Sequence, residues 1–545
     1  MSSESNESRP PAPAVPSSPP AISGDSAKKA GRGGLFVLAA KVFFLGLGFV
    51  QQVVLQRVLG AADFGVLALV LAQSNIPNNV IVAASVQGVS RAVAGAPGGA
   101  QSPSGRAALR GALAVHGPLA LLFGGAFAFA APFLADAVRA PRIAAPLLVM
   151  AVVLTFYGIY APLVGALNGD GRFGAQAFLD GTYATLRTAG LIGGALLLAH
   201  FGTSGDPLRG DRVHGATLGI AIASGLIILL AAFFLSRGKA VGTETRVTPF
   251  DIKAYLSFLL PIMATQLFVN LLMQVDITLL GRFLGDSAKA AATKDPAEAS
   301  AAMIGVYRAC QLLAFLPYQL LFSVTQVLFP MVAKADADGD REGVKAAVSR
   351  GARLACIAGG LLVTVLATLP SPLLHVVSPA NIAAHGGNTL RILALSQGLF
   401  AILGIATTVL SSLKKALTSA AITLAALGAT ATVAFVLVPT APFGTDQLQR
   451  MALATGAGLA FGLVLAGIAV YRAAGAFVPL KTALRVGGIL AVFVFAGTLL
   501  PALGKVATLG AAAAVAVLYL VALVVTGELG KADLAIVARI AGKRT

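Results

Sequence analysis

What most restricts the fold of this chain is its number of long apolar segments. Fourteen stretches are long enough to cross about 30 Å of hydrocarbon as helices. They lie near 34–59, 65–90, 109–135, 143–168, 175–200, 214–236, 255–283, 301–333, 349–370, 388–412, 416–439, 450–471, 484–503 and 506–527. Backbone groups in hydrocarbon must pair within their own segment, so these spans are helices. The expected fold is all-α and polytopic. Charged residues make up 11% of the chain, against about 25% in a soluble domain. So little charge cannot cover such spans in water. Residues 1–33 carry Ser, Pro, Ala and Gly with few large apolar side chains, and read as a disordered tail. They are no signal peptide, because the apolar run begins only at Leu35 and exceeds an h-region.

A repeat divides the spans. Arg57-Val-Leu-Gly60, Phe64-Gly65-Val66 and Pro77 recur as Arg282-Phe-Leu-Gly285, Ile304-Gly305-Val306 and Pro317. The first block recurs at an offset of 225 and the rest at 240, so one polar insertion near 286–300 separates the copies. Each copy is expected to end a long helix at R-x-L-G and to turn into a second helix bearing proline. Pro77 and Pro317 each remove a backbone hydrogen bond and predict a kink. Asn75, Asn78 and Asn79 are candidates to satisfy the carbonyls freed at Pro77 or to face a wet cavity. Such a repeat with proline-broken helices marks a two-lobed secondary transporter. The expected lobes are 34–240 and 241–475, six helices each. Two extra helices at 476–528 and a tail at 529–545 follow. Residues 531–545 read as a basic amphipathic surface helix or as a frayed tail.

Net charge is +18 without a long basic run, which argues against nucleic acid as partner. With the N-terminus, even-numbered loops and C-terminus taken as one side, that side holds 26 Lys and Arg against 11 on the other. The former, called the basic end below, is expected to be cytoplasmic together with both termini. The loops at the opposite end are too short for an extracytoplasmic catalytic domain, so an enzyme is not expected.

Three cations, Lys41, Arg187 and Arg308, fall inside spans, where each costs roughly 2.5–3.5 kcal/mol on insertion scales. Lys41 shares a helical face with Gly48, Gln52 and Gln56, and either snorkels to the interface or binds a ligand. Arg187 shares a face with Asp180 and Tyr183, as a structural ion pair or as a binding site. Arg308 and Asp276 lie at similar depth, as a fixed pair or a gate that substrate breaks. Asn270 and Gln274 add a second polar strip to the seventh span. With Arg57, Arg91 and Arg282, the cations near or within spans suit an anionic ligand, since Arg binds phosphate bidentately and keeps its charge when desolvated. A cation exporter would place carboxylates there instead.

The ordered set of short motifs resembles the oligosaccharide flippases, in the superfamily that includes multidrug exporters and peptidoglycan-precursor flippases. The resemblance runs over about 34–475. It is carried by Arg57 to Gly65, by Leu167-Asn-Gly-Asp-Gly-Arg-Phe173, by Val275-Asp-Ile-Thr-Leu-Leu-Gly-Arg-Phe-Leu-Gly285 with Gly305-Val-Tyr307, and by Leu328-Phe-Pro330 with the polar loop and basic stretch to Arg353. It implies a V-shaped body with a central cavity open alternately to each side. The implied activity moves a polyprenyl-pyrophosphate-linked oligosaccharide across the bacterial inner membrane, for surface polysaccharide or O-antigen synthesis. A polysaccharide polymerase and a chain-length regulator are the expected protein partners, with membrane lipids around them. Alternatives are a peptidoglycan-precursor flippase, a cation-coupled multidrug antiporter, and a membrane polymerase or ligase. No cofactor is expected. Asp180 or Asp276 are candidates to couple H+ or Na+, with downstream consumption of product as the other driving force. The last two helices either flank a groove for a lipid tail or simply pack against lipid.

Other motifs fail. Asp336-x-Asp338-x-Asp340 has calcium-loop spacing, but Arg341 and Ala347 stand where the turn glycine and bidentate Glu belong. There is no phosphate-binding G-x-x-x-x-G-K-[ST] loop. Five histidines show no metal spacing, and Cys310 and Cys356 lack C-x-x-C spacing, so no metal site or disulfide framework is expected.

Overall fold

The computed structural model describes residues 24–96, 102–201, 211–237, 250–501 and 503–530, with side chains at 43 and from 46 onward except at 201, 322, 323, 326 and 327. Among them the chain is helical with no strand. The elements are α1 (Gly24–Ala94), α2 (Pro103–Ala137), a short 3-10 turn (Pro141–Ile143), α3 (Ala144–Gly169), α4 (Phe173–Phe201), α5 (Arg212–Ser236), α6 (Ile252–Ala290) and α7 (Pro296–Ala314). Then come α8 (Leu316–Ala337), α9 (Arg341–Thr368), α10 (Pro370–Val377), α11 (Ala380–Ser412), α12 (Ala416–Leu437), α13 (Thr445–Ala474), α14 (Leu480–Thr498) and α15 (Lys505–Val525).

Among the described residues thirteen helices are long and apolar enough to cross a membrane, the first of them α1, which has 71 residues. At 1.5 Å per residue α1 is about 107 Å long, enough for two crossings. Gly60 divides it, with φ 74 and ψ 179, a backbone conformation that L side chains rarely adopt. Val58 and Asp63, on either side of Gly60, bond Arg212 and Arg142 at the end opposite the basic loops. Both arms of α1 then run back toward the basic end, which restores the fourteen passes.

Several expectations are corrected. Helix α1 begins at Gly24, inside the stretch read as a tail, because Ala27, Lys28, Lys29 and Ala30 are strong helix formers that extend the apolar span. Residues 1–23 and 531–545 lie outside the described residues. Pro77 lies inside α1, whose dihedrals leave the helical range at Gly60, the glycine of the R-V-L-G turn. Of the asparagines beside Pro77, Asn79 donates to Asn270, and the buried amide oxygen of Asn78 has no partner among the described residues. Pro317 instead sits at the start of α8, and the eighth span is two helices meeting at Phe315. In the second copy R-F-L-G lies inside α6, which runs to Ala290. The insertion is absorbed as extra turns of α6 and α7, with Asp295 capping α7 through the N–H groups of Ala297 and Glu298.

The first lobe packs α1, α2 and α3 together and α4 against α5; the second packs α11 with α13, α12 with α13 and α8 with α9. Side chains such as Phe129, Leu417 and Leu480 point outward with more than 70% exposure, as a lipid-facing surface requires. The largest buried cluster crosses between lobes, joining Leu67 and Leu69 of α1 to Ile277 and Leu280 of α6 and Ile304 of α7.

Helices α14 and α15 are tied to α9 at the basic end through Glu528. Its carboxylate accepts from Thr482 at 2.7 Å, Arg353 at 2.9 Å and Arg485 at 3.1 Å. Burial pushes the carboxyl up, but these hydrogen bonds and the Arg353 charge outweigh it and hold it below the usual glutamate range. Its contribution to stability is therefore full above the ordinary glutamate value of about 4.3 and is lost as pH falls through the lower folded value. Wild type is expected to lose amide protection in α15 on acidification below about pH 4. Glu528→Gln should lose part of that protection already at neutral pH and respond less to acid. Hydrogen exchange across the pH series reads both, and parallel curves for the two proteins would refute the assignment.

Candidate functional site: the lobe interface

The repeat returns at the interface as a contact between its own copies. Gly65 of α1 and Gly305 of α7, equivalent at the offset of 240, pack backbone to backbone. A Cβ on Gly65 would lie 1.9 Å from the Ala301 carbonyl oxygen, and one on Gly305 would lie 2.1 Å from that of Ala61. Arg139 Nε donates to Asp286 across the same end at 2.9 Å. Deeper, Gln73 donates to Thr278 at 2.9 Å and Asn79 to Asn270 at 2.6 Å, linking α1 to α6. Toward the basic end, buried His116 of α2 bonds Ser85 of α1 at 3.0 Å and Tyr255 of α6 at 2.7 Å. The lobes thus meet along one continuous seam.

Two clusters, one from each lobe, gather beside it. In the second lobe Asp276 is 2% exposed and accepts three hydrogen bonds. They come from the Ile277 amide at 2.7 Å, Tyr307 at 3.0 Å and Gln311 at 2.9 Å. The direct Asp276–Arg308 pair is not formed: Gln311 stands between, accepting from Arg308 at 3.2 Å. Tyr307 and Gln311 are one turn apart and share the face toward Asp276, which leaves the longer Arg308 side chain at the edge.

In the first lobe Tyr157, Tyr160 and Tyr183 stack in edge-on and tilted geometry, with Tyr157 and Tyr183 5.1 Å apart. Arg187 acts electrostatically on Tyr157, and Asp180 on Tyr160. Arg187 also lies close enough to Arg308 for the two like charges to act on one another.

The other sequence candidates are dispersed. Gln51 accepts from Thr188 at 2.9 Å, while Gln52 beside it is half-buried. Gln56 is fully buried, and neither polar atom of its side chain has a partner among the described residues. Asn270 and Gln274 are buried. Lys41 lies on α1, but its side chain is outside the described residues. Arg91 lies over the Phe258 ring at 4.2 Å and lines a cavity of about 610 Å³ at the basic end, between α1, α2 and α6. Arg57 and Arg282 are exposed at the opposite end and belong to no central set. Among the described residues no group of His, Cys, Asp and Glu could hold a metal. The sequence pointed to Asp276, Arg187 and Arg308, but not to Gln311, Tyr307 or Tyr157, which are common residue types in apolar helices without a distinguishing spacing.

Comparison with solved structures finds the same architecture. A lipid II flippase MurJ in an inward closed conformation superposes with TM-score 0.66 at 14% identity, covering 93% of this chain and all of the other. An inward-facing multidrug resistance MATE family transporter of the MOP superfamily gives 0.60 at 16% identity, with 80% and 98% covered. A Vibrio cholerae MATE transporter variant gives 0.51 at 16%, with 82% and 97% covered. A search of curated protein sequences finds no match. Helices meeting along a polar seam are the fold of these membrane transporters. The chain belongs to the family described as "Polysaccharide biosynthesis protein", whose profile matches residues 30–336.

Proposed function

We propose that this protein moves a polyprenyl-pyrophosphate-linked oligosaccharide between leaflets of the inner membrane by alternating access. The observation that carries this reading is that Arg187 and Arg308, one from each half of the chain, are partly buried cations within electrostatic range of one another. Like charges held together in a low-dielectric region call for an anion, and a diphosphate offers both guanidiniums bidentate acceptors. A ligand held from both sides would also couple its own binding to lobe movement. The sign of the site speaks against drug cations as cargo. Excess Lys and Arg on one side supports that side as cytoplasmic, with Arg91 at the mouth of its cavity attracting the headgroup. Asp276, in its ring of donors, is the best candidate for H+ or Na+ coupling. A polymerase and a chain-length regulator would take the delivered unit.

Peptidoglycan precursor is a second reading, because it carries the same diphosphate chemistry and the fold is shared along the whole of a lipid II flippase. Mass spectrometry of lipid extracts from a deletion strain and its parent separates the two. Accumulated polyprenyl-diphosphate oligosaccharide with loss of a surface polysaccharide is the expected result. Accumulated precursor would shift the cargo to the second reading. An unchanged lipid pool with altered sensitivity to cationic dyes would overturn both.

A further inference from the structure

A second cationic cavity, of about 440 Å³, opens at the end opposite the basic loops. It is built from three parts of the molecule. Arg57 comes from the close of the first arm of α1, Ser378 and Ala380 from the junction of α10 and α11, and Gly504 and Lys505 from the start of α15. Among the described residues its lining contains no carboxylate. The Arg57 guanidinium makes one hydrogen bond, to its own helix at Val53 and 3.3 Å, and like Lys505 has no ion pair among the described residues.

Two long helices begin at this cavity, and both begin uncapped. Neither Pro379 before α11 nor Gly504 before α15 supplies a side-chain cap. The N–H groups of each first turn and the positive end of each helix dipole are thus directed at this region. Ser378 is the independent sign of a ligand. It is 5% exposed, lines the cavity, and its hydroxyl has no hydrogen-bond partner among the described residues. A buried hydroxyl left unpaired is unfavourable unless something outside the chain fills its bond. Beside the cavity the surface turns apolar, with Leu499, Leu500, Val506 and Leu509 exposed.

From this geometry we infer a binding site for the phosphate headgroup of a lipid, whose hydrocarbon lies along Val506 and Leu509. Because Arg57 belongs to the first lobe and Ser378 to the second, the bound phosphate joins lobes that must separate when this end opens. Its occupancy therefore favours the state closed at this end. The inference is independent of the cargo, since neither Arg187 nor Arg308 lines this cavity.

Native mass spectrometry of the purified full chain tests it, with dioleoyl phosphatidate, dioleoyl phosphatidylcholine and inorganic pyrophosphate as probes. Wild type is expected to retain one phosphatidate in preference to phosphatidylcholine. Arg57→Gln with Lys505→Gln should weaken that binding at least about tenfold, and Ser378→Ala by about threefold. The charge-conserving pair Arg57→Lys with Lys505→Arg should keep it, which separates loss of charge from loss of fold. Displacement of phosphatidate by pyrophosphate would identify a site that reads phosphate as such; retention in its presence would identify one that needs the attached lipid. Equal phosphatidate binding by wild type and the doubly neutralised variant would overturn the proposal.

Discussion

Replacing Gly65 and Gly305 together by alanine is expected to abolish transport and to leave the protein open at the end opposite the basic loops. Each added Cβ would enter the backbone of the other lobe, at 1.9 and 2.1 Å from a carbonyl oxygen. Relief requires the helices to part by more than about 1 Å, which forfeits much of the dispersion contact along the seam. Overpacking of this kind costs about 3 kcal/mol, roughly a 150-fold change in the balance between states. By contrast, the Arg139–Asp286 bridge at the same end is partly exposed, with side chains 32% and 49% accessible. A bridge of that kind contributes about 0–1 kcal/mol, so Arg139→Gln should shift the balance less than about fivefold. Both lobes should still fold, because the nearest atoms at each glycine belong to the opposite lobe. Spin labels at Asp136→Cys and Lys289→Cys, in a background with Cys310 and Cys356 replaced by alanine, report the separation directly. An unchanged distance together with normal transport would show that closure at this end does not depend on the two glycines.

Arg187→Gln and Arg308→Gln are each expected to reduce transport of the lipid diphosphate by at least about thirtyfold at normal expression. Removing one member of a desolvated, charge-assisted contact costs about 2–5 kcal/mol. Lysine at either position keeps the charge but loses the planar fork, so roughly a tenfold loss is expected there. The two glutamine variants should differ in a second way. Arg308 also bonds Gln311, which holds Asp276, so Arg308→Gln should perturb any H+ or Na+ dependence, whereas Arg187→Gln should leave it intact. Proteoliposomes loaded with labelled polyprenyl-diphosphate oligosaccharide, assayed with and without ion gradients, measure both effects. Full activity in both glutamine variants would remove the anion site from the mechanism.

Much of this architecture was legible along the chain. Span length and the offset repeat lead to helices and two lobes, because hydrocarbon leaves the backbone no other way to pair its polar groups. Arg187, Arg308 and Asp276 stand out for a related reason, since a charge inside a span is too costly to be incidental. Where the reading failed, the cause is specific. In the first copy the turn falls at Gly60, where R-V-L-G placed it, whereas in the second copy R-F-L-G lies inside a helix that runs on. The polar insertion before α7 looked like a loop but became helix, with Asp295 capping the new start.

By itself, then, the sequence determined the class of fold, a bundle of long apolar helices, and singled out the charged residues within them. These follow from periodicity, length and the cost of charge in hydrocarbon, all of which are local. Only the tertiary structure decided which charges meet. It placed Arg187 within electrostatic range of Arg308 and sent Arg57 to a cavity beside Lys505, over 400 residues away in the chain. It also inserted Gln311 between Asp276 and Arg308, and set Gly65 against Gly305. Contacts of that kind depend on how helices cross and rotate against one another. That is fixed by the summed packing of whole faces and not by any single residue in them.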